Sequence, residues 1–208
     1  MRDVVIVDNV RTGLAKSFRG SFNLTRSDDM LAHCIDSLLD RNQNVSPDEV
    51  EDVVVGAASH AGEQDGNLAR LAVVLSKLPI TAAGMTINRF CSSGLQAIVH
   101  GAHEIHCGQE QIVVAGGVES MTQVPMGGHV VSLNPHLVDE FPEAYISMGI
   151  TAERVALALV AAALLVARRR AGPAVAALRR VGPAAVVLQP VEPVAAVPRP
   201  EEAAVAVL

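Results

Sequence analysis

The stretch Gly84-Met85-Thr86-Ile87-Asn88-Arg89-Phe90-Cys91-Ser92-Ser93-Gly94-Leu95-Gln96-Ala97-Ile98 decides how this chain is read. Gly84 to Ile87 form a short apolar strand. Leu95, Ile98, Ala102 and Ile105 then recur at three- and four-residue spacing, the mark of a helix with one buried face. Cys91 therefore falls at a strand-to-helix junction. A thiol there faces the first unpaired N–H groups of the helix and the positive end of its dipole, which favour thiolate over thiol. Such a cysteine is suited to take an acyl group and pass it on. The competing role for Cys91 is that of a small buried hydrophobe, which free cysteines often are.

Outward from this junction, strand and helix alternate. Val4–Val7, Val53–Gly56, Gly84–Ile87 and Ile112–Ala115 are short apolar runs suited to strands buried on both faces. Met30, Leu31, Cys34, Ile35, Leu38 and Leu39 mark one helix, with Asp28 and Asp29 favouring its start. Leu68, Leu71, Ala72 and Leu75 mark another. The order predicts an α/β fold, a mostly parallel sheet with helices on its faces.

Five blocks of the chain resemble the thiolases, which make and break carbon–carbon bonds in acyl-coenzyme A thioesters. The first is Val4-Val5-Ile6-Val7-Asp8 with Arg11-Thr12, and the second is Gly62-Glu63-Gln64-Asp65-Gly66-Asn67-Leu68-Ala69-Arg70. The Cys91 stretch is the third. Ala115-Gly116-Gly117-Val118-Glu119-Ser120-Met121 and Met148-Gly149-Ile150-Thr151-Ala152-Glu153 complete the set, and the resemblance runs to about Ala156. It implies a thiolase-like N-terminal α/β core over 1–121 and the start of an inserted loop domain over 122–155. It further implies acyl-coenzyme A and coenzyme A as substrates, no permanently bound cofactor, and a homo-oligomer, dimer or tetramer, for the intact family. A β-ketosynthase-like condensing enzyme is an alternative, as is a non-catalytic split subunit or binding module. The contexts of Cys91 and of Glu119-Ser120-Met121 lean toward thiolase.

In the family, the equivalent of Cys91 is the acyl-thioester nucleophile. The resemblance implies that it works with a histidine of a Gly-His-Pro motif, a second cysteine of a Cys-x-Gly motif and an asparagine of an Asn-Glu-Ala-Phe motif. None of those motifs occurs here; beyond Cys91 there are Cys107, and His129 and His136 without the motif context. General acid–base help and oxyanion stabilisation each contribute about 10²–10⁴ in rate. This chain alone is therefore expected to lack turnover and to be poorly soluble.

Residues 156–208 read differently. From Val155 to Leu208 only Val, Ala, Leu, Arg, Gly, Pro, Gln and Glu occur, with six of the chain's eleven prolines. All eight types can be encoded by GC-rich codons, so the tail is expected to be a shifted reading frame, helical at first and then irregular. Val155–Ala167 is an unbroken apolar run of thirteen residues before Arg168-Arg169-Arg170. That is short of the ~20 apolar residues a spanning helix needs, so no membrane partner is expected.

The remaining features set bounds. A net charge of −6 argues against nucleic acid. Three cysteines, at 34, 91 and 107, have no CxxC or metal-ligand spacing, and no cleavable leader is read at the N-terminus, so a cytoplasmic location is expected. Cys34 lies on an apolar helix stripe, and Cys107 sits over ~20 Å along the helix from Cys91. His100, His103 and His106 drift round that helix and suit its C-terminal end better than a metal. Ala115-Gly116-Gly117 and Met126-Gly127-Gly128 lack phosphate-loop patterns and read as close-approach backbone. Glu119 is read as orienting a loop, capping, or solvated.

Overall fold

The computed structural model describes residues 3–171 and 204–207. It contains two compact units, Met1–Val131 with Pro198–Leu208, and Ser132–Val197. The first holds strands β1 (Val5–Asn9), β2 (Asp52–Gly56), β3 (Ala83–Ile87), β4 (Ile112–Gly117) and β5 (Ala204–Val207). Its helices are α1 (Ser27–Arg41), α2 (Leu68–Leu75) and α3 (Ser93–Cys107). The sheet order is β1-β5-β4-β2-β3, and every pairing is parallel.

Two apolar layers hold this unit together. Leu31, Ile35 and Leu38 of α1 and Leu68, Ala72 and Val73 of α2 pack against Val53, Val55 and Val114 of the sheet. On the other side Ala97 and Ile105 of α3 meet Val54, Val113 and Ala115. The alternation along β2 and β4 thus serves both layers, which is why these strands read as unbroken apolar runs. The start of α1 is secured by Glu63, whose carboxylate accepts the Ser27 N–H at 2.8 Å. Asn67 caps α2 by accepting the Arg70 N–H and donates to the Gly84 carbonyl, tying that helix to β3.

Two expectations are corrected. The outer strands β1 and β3 are not buried on both faces: Ile6 and Val7 are 61 % and 54 % exposed, and Gly84–Ile87 are half-buried. The end of the tail is not wholly irregular, since Ala204–Val207 form β5 between β1 and β4. The tail residues 172–203 lie outside the described residues.

The second unit contains α4 (Pro135–Glu140) and α5 (Met148–Ala171). Asn134 caps α4, and Glu143 pairs with Arg154 at 2.8 Å. The tail's opening is helical, as its Ala and Leu content predicts. The helix begins at Met148, seven residues before the apolar run, so Met148–Val166 is long and apolar enough to cross a membrane by length and composition. Glu153 and Arg154 lie within that span.

Candidate active site

Cys91 is exposed and stands two residues before the first residue of α3. Strand β3 delivers the chain to Asn88, and a tight turn follows. Phe90 at the turn's centre has φ +49°, a left-handed backbone that is uncommon for a residue with a side chain. Ser93 staples the turn: its hydroxyl accepts the Arg89 N–H at 2.8 Å and donates to the Phe90 carbonyl at 2.6 Å. The Ser93 N–H also donates to the Phe90 carbonyl, at 3.0 Å. The side chain of Asn88 accepts the Phe90 N–H at 2.8 Å, an Asx turn. The first turn of α3 carries no acidic residue, so no carboxylate competes with the sulfur for the positive end of the helix.

Three glycines bring the start of α3 onto the sheet. A Cβ at Gly56, the last residue of β2, would lie 2.2 Å from the Ser93 carbonyl carbon. One at Gly117, the last residue of β4, would lie 2.8 Å from the Gly56 oxygen and 3.1 Å from the Gly94 Cα. Backbone meets backbone here, at the carboxyl ends of the parallel strands, where open α/β sheets place their sites. Gly117 thus fulfils the close-approach expectation. Gly127 and Gly128 instead form a turn of positive φ, +87° and +77°.

The other candidates separate from Cys91. Cys34 is 7 % exposed in the core side of α1, and burial pushes its thiol up from the ordinary range, partly offset by a hydrogen bond from the Thr12 backbone. It lines a cavity of about 690 Å³ beside the ends of β1 and β4, with Arg11, Thr12, Phe22 and Met121 among its walls. Cys107 ends α3, about 20 Å from the helix start, and is exposed. His100 faces Glu104 at 3.4 Å on the same helix. Among the described residues no three His, Cys, Asp or Glu side chains are grouped as metal ligands. His129 packs over Gly62, and His136 belongs to α4 of the second unit.

Sequence reasoning missed Ser93, Asn88 and Gly56. Asn88 carried a signal, since Asn just past a strand favours a side-chain turn. Glu119 proves to be hydrogen-bonded: its carboxylate accepts the Ala58 N–H at 2.6 Å and the Gln64 amide at 2.9 Å.

The sheet is parallel throughout, and an exposed cysteine stands where one of its strands gives way to a helix. Residues 4–168 match the thiolase N-terminal domain. The chain belongs to the thiolase family. It is 43 % identical over 156 residues to the 3-ketoacyl-CoA thiolase of Bacillus subtilis, covering 75 % of this chain and 40 % of that protein. The 3-ketoacyl-CoA thiolases of Vibrio vulnificus and Aeromonas salmonicida are 42 % and 40 % identical over 153 residues, each covering 74 % of this chain and 39 % of the relative. The chain thus spans about 40 % of the length of the curated relatives it matches.

Proposed function

We propose that this chain carries the nucleophile-bearing part of a thiolase-type acyl transfer between a cysteine thioester and coenzyme A. In the degradative direction the Cys91 sulfur attacks the 3-keto carbon of a 3-ketoacyl-coenzyme A. The new carbon–sulfur bond forms as the carbon–carbon bond to the thioester side breaks, and the departing carbanion takes a proton. Coenzyme A then attacks the Cys91 thioester and releases the sulfur. Run in reverse with acetyl groups, the same steps form acetoacetyl-coenzyme A. The names of the relatives support a 3-ketoacyl-coenzyme A substrate, and we place the reaction in fatty acid metabolism. Three free thiols support a cytoplasmic setting.

The observation that carries this reading is the exposed Cys91, turned out by a left-handed Phe90 at an acid-free helix start. The sequence lacks the Gly-His-Pro, Cys-x-Gly and Asn-Glu-Ala-Phe motifs that supply the proton transfers and one oxyanion site in the family. The chain alone is therefore proposed to accept an acyl group without turning over. The abrupt change of alphabet after Val155 supports a shifted reading frame, which translation of the other two frames of the coding DNA tests.

Incubation with acetoacetyl-coenzyme A, followed by mass spectrometry of the Cys91 peptide and a steady-state assay, tests the enzymatic reading. Acetylated Cys91 with negligible turnover is expected. Turnover at ordinary enzyme rates would refute the lack of activity, and an unmodified Cys91 would refute the nucleophile.

A further inference from the structure

A left-handed turn at a residue with a side chain persists only where its surroundings over-determine it. Ser93 supplies the local part at Phe90. The rest arrives from a distance. Asn88, which accepts the Phe90 N–H, also donates its side-chain amide to the Ala58 carbonyl at 2.9 Å. Ala58 lies just beyond β2, and its own N–H donates to Glu119 at 2.6 Å, just beyond β4. The other Glu119 oxygen accepts the Gln64 amide at 2.9 Å. Gln64 is fully buried; it donates as well to the Ser59 carbonyl at 2.7 Å and accepts the Ser120 N–H at 2.6 Å.

We propose that Glu119 is a positioning residue for Cys91, acting through the Ala58 backbone and the Asn88 side chain to hold the turn that presents the sulfur. The inference rests on the thioester-nucleophile reading above. Both backbone polar groups of Ala58 are bonded, its N–H to Glu119 on the β4 side and its carbonyl to Asn88 on the β3 side, so the residue is held from both sides and links the two. A buried amide with all its bonds committed to Ser59, Glu119 and Ser120 fixes the Glu119 carboxylate in turn. Both Glu119 oxygens face N–H donors. Glu119→Gln keeps the shape but sets a donor against a donor, so one of the two bonds is lost.

The test uses the full chain and iodoacetamide, with peptide-level mass spectrometry reading each cysteine separately. Exposed Cys107, on the same helix, is the internal reference, and buried Cys34 reports whether the core stays closed. Glu119→Gln and Asn88→Ala are each expected to lower the Cys91-to-Cys107 rate ratio by at least about fivefold with Cys34 still protected. Their combination should cost no more than either alone, because both cut one path. Unchanged ratios in both single variants, or additive losses in the double, would each overturn the proposal. Should Glu119→Gln expose Cys34, the surface variant Asn88→Ala decides, and an unchanged ratio there is fatal. A wild-type Cys91 no faster than Cys107 would defeat the nucleophile reading itself, and this shows before any substitution is made.

Discussion

Glu104 on α3 is only 12 % exposed in its side chain, and one of its carboxylate oxygens is buried without a hydrogen-bond partner. Burial raises its pKa above the ordinary carboxylate value, nearby Asp52 raises it further, and His100 lowers it. Asp52 and Glu110 are raised too, each chiefly by burial. The native state therefore holds protons on these groups that the unfolded chain has released, and stability falls as pH rises from the usual carboxylate range through the raised native values. Glu104→Gln should stabilise the chain by about 1 kcal/mol at neutral pH, the cost of one unsatisfied buried carboxylate oxygen being of that order. The gain in urea midpoint should shrink as pH is lowered toward 4; a gain that stays constant with pH would exclude the charge as its cause. At this scale Cys91 was legible because its residue type carries the chemistry. The link between Asn88 and Glu119 was not, since their shared partner Ala58 lies 30 and 61 residues away in sequence.

The elements were legible where burial repeats along the chain. The α2 stripe, Leu68 to Leu75, matches the helix observed, and β2 and β4 differ from their apolar runs only at the ends. β1 looks the same as β2 in sequence, but its apolar residues stay exposed because position in the sheet, not composition, decides how many neighbours a strand has. The seating of α3 on Gly56 was invisible, since a glycine ending a strand can equally mark a turn. It is also the most demanding contact in the unit. Gly56→Ala should cost about 3 kcal/mol, at the upper end for overpacking, because the atom it strikes is backbone and cannot rotate away. Urea denaturation measures this, and a loss under about 0.5 kcal/mol would mean that α3 sits farther from β2 than described.

For the whole molecule, the parallel α/β class followed from the alternation of elements, and the family from five blocks in order. The place of the chain's last residues did not. Ala204–Val207 are too few, and too uniform in Ala and Val, to announce a strand, yet they pair with β1 on one side and β4 on the other. Among the described residues β1 has no other ladder partner. Ending the chain at residue 203 should therefore release β1 first. Amide exchange at Val5–Asn9 should approach unprotected rates while Val53–Val55 of β2 stay slow. Undiminished protection in β1 would mean that another strand, or none, fills that slot.

Where α3 rests on the sheet, the spacer between them has no thickness. The seat of α1 is built from side chains, which a second substitution can repack, and α2 adds to its aliphatic contacts one backbone contact at Gly84. At Gly56 and Gly117 there is nothing left to trim, so even one methyl group acts as a wedge beneath the start of α3, next to Cys91. Mutational drift can remodel the floor under α1 by trading one aliphatic group for another. Under the start of α3 it has no such currency, and the height of that helix end above the strands is fixed by backbone against backbone.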